Sequence, residues 1–308
     1  MVLTLKNLTK IYKNKGFIIT ALNDFTYEFK SGKVYGIVGL NGAGKTTLIK
    51  SICGLLIPDR GNVFFDNNPL YPNGMYNLKK IGAILEGSRN IFWNFTPIQN
   101  AKYFAYLRGL PLKETLNKAI RLFEEFGLSE KLNTPVRNLS QGMKQKIAIT
   151  ISILHNPQIL LLDEPTLGLD PIAGNKMQEY ILNFARDSDR LVIVTSHQLS
   201  ILENICDKII FLKKGCFVSS YDIEEIKMNS KKIKYIIKVE KGNTNNTSLL
   251  TSMFGKIVNS DNMLVLEFLP KEFELNSCIE CLIKNGFIIK DIEKIAPSIE
   301  DLFMEEFA

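Results

Sequence analysis

The 308-residue sequence holds only two histidines, His155 and His197, and one tryptophan, and no apolar run approaches the ~18–20 residues that span a bilayer. A membrane-spanning helix is therefore not expected. The opening residues, Met1-Val-Leu-Thr-Leu-Lys-Asn7, lack the basic start and unbroken apolar core of a secretory leader. Cysteine is sparse: Cys53, Cys206, Cys216, Cys278 and Cys281 make an odd set, which predicts free thiols in a reducing compartment. Cys278-Ile-Glu-Cys281 has redox or zinc spacing, but no second Cys or His pair lies nearby, so both are assigned to the packing of a helix. Internal repeats and low-complexity tracts are also missing. The expectation is a soluble, intracellular chain that acts at a membrane only if something else holds it there.

What is present looks globular. Apolar residues make up 45% and charged residues 23%, which excludes disorder and collagen-like repetition. The length suits two domains. The net charge of +6 is unevenly spread: residues 1–220 carry 27 Lys/Arg against 17 Asp/Glu, and residues 221–308 carry 11 against 15. A basic first part suits nucleotide, nucleic acid or an anionic lipid surface, or is simply a Lys-rich solvated face. No basic cluster is dense enough to announce nucleic-acid binding.

Short continuous apolar runs at Val34–Val38, Ile159–Leu162, Leu191–Thr195 and Ile209–Leu212 predict parallel strands covered on both faces, the mark of an α/β domain. Helical segments are expected at Thr46–Cys53, Leu112–Phe126, Met143–His155 and Asn175–Ala185. Residues 3–30 alternate and predict an antiparallel β layer beside the main sheet. After Ser220 the order changes to strand Ile233–Val239, helix Thr247–Phe254, strands Lys256–Asn259 and Leu264–Phe268, helix Glu272–Asn285 and strand Phe287–Ile292. That is the βαββαβ order of a ferredoxin-like α+β domain. The expected division is 1–220 and 221–308.

Gly39-Leu-Asn41-Gly42-Ala43-Gly44-Lys45-Thr46-Thr47 fits G-x-x-x-x-G-K-[ST], with a strand running in and a helix running out. Glycines let successive backbone N–H groups wrap phosphates, and the helix N-terminus adds a positive dipole end. Lys45 is expected to reach the β- and γ-phosphates and the Thr46 hydroxyl to ligate Mg²⁺. The run Ile159–Leu162 ends in Asp163-Glu164, neighbours that point in different directions. Asp163 is assigned to the metal through its water shell and Glu164 to general-base duty. His197, just past Leu191–Thr195, falls at the carboxyl edge where α/β sheets bind ligands and is assigned a γ-phosphate contact.

Together these pieces resemble the ATP-binding subunits of ABC transporters, over essentially all of residues 1–220. The decisive segment, Leu139-Ser140-Gln141-Gly142-Met143-Lys144-Gln145-Lys146, resembles that family's signature loop. Thr166-Leu-Gly-Leu-Asp170 is similar to its D-loop, Thr195-Ser-His197 to its switch histidine, and Tyr12 to the aromatic residue that stacks on adenine. The resemblance implies an Mg²⁺-dependent ATPase in which Ser140, Gly142 and Asp170 complete the site of a partner subunit, across a dimer sandwiching two ATP molecules. Gln141 and Met143 depart from the usual signature Gly and Gln, while Ser140 and Gly142 keep its anion-binding positions. Glu86 stands where many members carry a glutamine and is assigned to metal-bound water. These variants, and the ending Pro297-Ser-Ile-Glu-Asp-Leu-Phe303-Met-Glu-Glu, resemble the daunorubicin and lantibiotic exporter branch.

The implied function is the ATPase subunit of an export system, bound at the inner face of the cell membrane to separate multi-span subunits. Complete motifs permit a homodimer, and nucleic acid is not an expected partner. An aromatic stretch containing Phe92, Trp93 and Phe95 is expected to meet a membrane subunit. The alternatives are an importer ATPase and a soluble ABC-type switch on ribosomes or DNA. One uninterrupted cassette with no heptad run speaks against the latter.

Overall fold

The computed structural model describes residues 1–14, 16–71, 75–85, 90–186, 190–228, 234–240, 256–260, 263–268, 275–295 and 298–307. The chain divides into two compact units, the division falling after Asp222.

In the first unit, β1 (Val2–Asn14) and β2 (Phe17–Lys30) form a long hairpin, joined through β1 by β4 (Arg60–Phe65) and β5 (Asn68–Pro69) into an antiparallel sheet ordered β2-β1-β4-β5. The second sheet is built from β3 (Val34–Val38), β6 (Ile81–Ile84), β7 (Ile159–Asp163), β8 (Leu191–Thr195), β9 (Lys208–Lys213) and β10 (Cys216–Asp222). Its order is β10-β9-β3-β8-β7-β6, parallel except for the edge strand β10. β3, β7 and β8 are buried at every position, as their unbroken apolar sequences require once both faces are covered. Leu3, Leu5, Phe25 and Phe29 of the antiparallel layer meet Ile37, Leu161 and Ile193 of the parallel sheet in one core, with Leu48 and Ile49 of α1 (Lys45–Ile52) between them.

The helices of this unit are α2 (Pro97–Leu107), α3 (Leu112–Glu125), α4 (Gln141–Ile153), α5 (Pro171–Arg186) and α6 (Leu199–Ile205). α2 opens on a capping box in which the Thr96 hydroxyl accepts from the Gln99 amide and Gln99 reaches back to the Thr96 amide. The pattern Thr96-Pro97-x-Gln99 announces this start in the sequence, although the aromatic residues around it draw the eye first. α4 begins two residues earlier than expected because Ser140 caps it. α5 begins four residues earlier, with Asp170 accepting from the Ala173 amide and Pro171 at the first turn.

The second unit contains α7 (Ile223–Met228), β11 (Lys234–Glu240), β12 (Lys256–Ser260), β13 (Met263–Phe268), α8 (Leu275–Lys284), β14 (Ile288–Ile295) and most of α9 (Ile299–Phe307). Its strands are ordered β12-β13-β11-β14 and are antiparallel throughout, the arrangement of a ferredoxin-like sheet. Ile237, Val239, Leu266, Leu282 and Phe287 form its core with Cys278, whose thiol is pushed up to about 11, chiefly by burial. Such a thiol packs rather than reacts. The helix expected at Thr247–Phe254 lies outside the described residues. Among the described residues, no helix is long and apolar enough to cross a membrane.

His155, just beyond α4, donates from Nε2 to the Ile81 carbonyl at 3.0 Å. Burial first, then the neighbouring Arg108 cation, depress it to about 4. An unfolded chain takes up this proton near pH 6.5 while the folded one does not, so stability drains away as pH falls from about 6.5 to about 4. The expected loss is roughly 3 kcal/mol, several degrees in melting temperature. Calorimetry across that range checks it, and His155→Gln is expected to flatten this part of the profile.

Candidate functional site

The carboxyl ends of β3, β7 and β8 lie side by side, because β8 pairs in parallel with both of the others. The loop after β3 therefore faces the acidic end of β7 across the end of β8. A cleft of about 320 Å³ opens at this edge. Asn41, Gly42, Ala43, Gly44, Lys45, Thr46 and Thr47 form one wall, and Asp163, Glu164 and His197 the other. At its mouth stands Tyr12 of β1, directly opposite Ile19 of β2, with Ala21 beneath.

Two glycines allow the loop to close on itself. Gly44 adopts φ +108, and any Cβ there would run into the Ala21 carbonyl oxygen. A Cβ on Gly39 would meet the Leu212 carbonyl oxygen of β9 in the same way. Gly39 does not line the cleft, but its carbonyl accepts from the buried Lys45 ammonium at 2.6 Å, and the Leu40 carbonyl accepts at 3.3 Å. The ammonium thus lies folded over the loop that holds it.

Asp163 is buried at the end of β7, where its Oδ2 accepts from the Thr46 hydroxyl at 3.1 Å and its Oδ1 accepts from the Thr195 hydroxyl. Thr46 and Asp163 make an all-oxygen pair, the donor chemistry that suits Mg²⁺ when phosphates and water supply the remaining ligands. Among the described residues no cluster of three or more His, Cys, Asp or Glu side chains could hold a metal ion alone. Glu86 lies outside the described residues.

Glu164 turns the chain sharply at φ +53, a left-handed conformation costing roughly 1–2 kcal/mol for a residue with this side chain. Its amide donates to the Thr195 carbonyl at 3.1 Å, which fixes the turn. The Ser196 hydroxyl donates to Oε2 at 3.3 Å, and His197 Nε2 stands 3.6 Å from Oε1. Oε1 itself is buried without a hydrogen-bond partner. Burial raises this carboxyl above its ordinary value, against the opposing pull of His197 and Ser196.

The sequence reading missed Ile19 and Ala21, which carry no chemical signature, and the roles of Thr195 and Ser196 as hydroxyl donors to the two acids. Ser140, Gly142 and Asp170 do not line this cleft. Ser140 caps α4, Asp170 caps α5, and Gly142 packs where a Cβ would come within 2.9 Å of the Gly168 carbonyl oxygen.

Residues 22–167 match the family described as "ABC transporter". The uncharacterized ABC transporter ATP-binding protein YhcH of Bacillus subtilis is 30% identical over 99% of this chain and 95% of its own length. The bacitracin transport ATP-binding protein BcrA of Enterococcus faecalis is 30% identical over 98% of this chain and 95% of its own. A dimeric ATP-binding cassette solved in a post-hydrolysis state with ADP and phosphate is 27% identical. Its TM-score is 0.67, over 72% of this chain and 99% of that one.

Removal of the loop cation is the direct test of the cleft as a phosphate cradle. Lys45→Ala is expected to weaken binding of a fluorescent ATP analogue by about 30–100-fold, the worth of a strong charge-assisted contact, without lowering the melting temperature appreciably.

Proposed function

We propose that this chain, which belongs to the ATP-binding proteins of the ABC transporter family and is an ATPase, powers export through separate membrane-spanning subunits by ATP-driven closure of a dimer of cassettes. The observation that carries this reading is the cleft that joins a Lys-bearing phosphate loop, a buried Thr46–Asp163 pair and a carboxylate oxygen with an unused acceptor position.

The base of ATP stacks on Tyr12, beside Ile19. The amides of residues 41–47 and the N-terminus of α1 take the phosphates, and Lys45 exchanges the Gly39 and Leu40 carbonyls for the β- and γ-phosphate oxygens. Thr46 and, through water, Asp163 would hold Mg²⁺, and Glu86 is assigned to a water that the same ion would carry. Bound there, the ion neutralises charge on the phosphates. Glu164 Oε1 accepts a proton from the attacking water as its oxygen bonds to the γ-phosphorus and the bond to the β-phosphate oxygen breaks. His197, on the same wall, contacts the γ-phosphate. Ser140, Gly142 and Asp170, which this chain's cleft does not use, serve the cleft of the second cassette.

Export is favoured by the reach of the likeness. BcrA, named for bacitracin transport, matches through the second unit and not over the ATPase portion alone. On this reading the chain sits at the inner face of the cell membrane, held by its multi-span partners.

Glu164→Gln is expected to cut ATP turnover at least ~100-fold, the worth of a general base, while ATP traps a dimer visible by light scattering. Undiminished hydrolysis refutes the role of Glu164. Affinity capture from gently solubilised native membranes is expected to return a stoichiometric multi-span protein. Ribosomal proteins or nucleic acid in its place would sink the export reading.

A further inference from the structure

The helical part of the first unit carries a second organised feature, which shares no residue with the lining of the cleft. Phe92 and Trp93 are exposed, and Phe92, Phe95, Tyr103 and Phe104 form a ring cluster with centroids 4.7–6.1 Å apart. This loop is tied at both ends to a single side chain. Asn100, fully buried on α2, accepts from the Phe92 amide at 2.8 Å and donates to the Phe92 carbonyl at 3.0 Å and the Thr96 carbonyl at 3.1 Å. Both halves of its amide are thereby committed.

The same loop is stitched along its other side to the turn that precedes the signature. The Val136 amide donates to the Phe95 carbonyl at 2.9 Å, and the Arg137 amide donates to the Trp93 carbonyl at 2.8 Å. The Arg137 guanidinium adds a contact to Asn94 Oδ1 at 3.4 Å. From there the chain passes through buried Leu139 to Ser140, the cap of α4, and Lys144 in the first turn of α4 lies over the Trp93 ring at 4.8 Å. The two amide bonds of this seam run between backbone groups that any sequence supplies, so the residue types do not foretell them.

We propose that Asn100 is a positioning residue that fixes the aromatic loop 92–96 on α2 and, through the Trp93 and Phe95 carbonyls of that loop, the turn 136–139, so that the exposed rings and Ser140 move as one body. The inference rests on the dimer-closure reading above. It adds that closure is sensitive to a residue touching neither nucleotide nor the facing cassette. Loss of Asn100 leaves the cleft intact but lets Ser140 wander relative to α2.

The test uses the full chain in the Glu164→Gln background, comparing Asn100→Ala and Asn100→Asp with Asn100 itself. Asp keeps the acceptor and, when ionised, loses both donors. Affinity of the monomer for a fluorescent ATP analogue is expected to stay within about twofold, while the ATP concentration giving half-maximal dimer rises about tenfold, the worth of a broken buried amide network. Amide exchange at Val136 and Arg137 is expected to quicken at least tenfold, with β8 unchanged. Equal dimer formation in all three proteins overturns the proposal, as does a parallel fall in nucleotide affinity. Exchange in the unmutated chain guards against variants that do not fold. Protected Val136 and Arg137 amides support the seam, and amides exchanging at free-loop rates overturn it. Should Glu164→Gln itself fail to dimerise with ATP, the closure reading falls instead, and these exchange rates still judge the seam.

Discussion

The site depends on one buried carboxylate. Asp163 holds the Thr46 hydroxyl with one oxygen and the Thr195 hydroxyl with the other, and so ties α1, β7 and β8 into a fixed relation at the sheet edge. A carboxylate taken out of water without partners costs several kcal/mol, and the two hydroxyl donors offset that penalty without neutralising the charge. The tie is therefore a structural bond and a reserve of negative charge together. It also fixes where Glu164 begins. With Asp163 clamped and the Glu164 amide bonded to the Thr195 carbonyl, the following carboxyl is forced through a left-handed turn into the cleft. Strain of this kind persists only where the surroundings over-determine it, as they do here.

Two layers of different character meet at the cleft and divide its chemistry. The parallel sheet brings three strand ends and a glycine-rich loop to one edge, which on the proposed reading supplies donors and acids for the phosphate end of a nucleotide. The antiparallel hairpin brings Tyr12 and Ile19 as a cross-strand pair, which on the proposed reading supplies an apolar surface for the base end. A shared core of Leu, Ile and Phe side chains holds the layers in register. The polar half of the cleft is thus kept rigid by burial some distance from it, and Lys45, the one lysine or arginine side chain lining it among the described residues, rests on the loop's own carbonyls.

Much of this was legible in the residues. Unbroken apolar runs announced β3, β7, β8 and β9, and Gly39 to Thr47 and the Asp163-Glu164 pair announced their own chemistry. What stayed hidden has a common physical cause. Ile19 and Ala21 enter the cleft only because the hairpin register sets Ile19 opposite Tyr12 and brings Ala21 against the loop at Gly44, and register is a property of pairing, not of residue type. Thr195 and Ser196 look like ordinary residues at a strand end until β8 is placed beside β7. Asn100 reads as one more polar residue in an amphipathic helix, and only the closed loop shows that its amide is saturated. The early starts of α4 and α5 were readable from Ser140 and from Asp170-Pro171, where hydrophobic periodicity outweighed capping chemistry.

On the reading proposed above, the division of labour within the chain explains why a single cassette is incomplete. Donors for the phosphates come from one wall of the cleft, and the residues that would face them, Ser140 and Gly142, sit at the head of a different helix. That helix is not placed by the cleft. Its first turn is reached from Leu139 and the turn at Val136–Asn138, and this turn hangs from the carbonyls of Trp93 and Phe95. A surface of exposed rings and the head of α4 are consequently joined to each other through backbone hydrogen bonds. Any force applied to the rings is carried to Ser140 first. Any closure that draws Ser140 toward a second cassette's phosphates is likewise carried back to the rings. Coupling in both directions then needs no conformational change within either half, only a relative movement between two bodies that the hydrogen bonds have already defined.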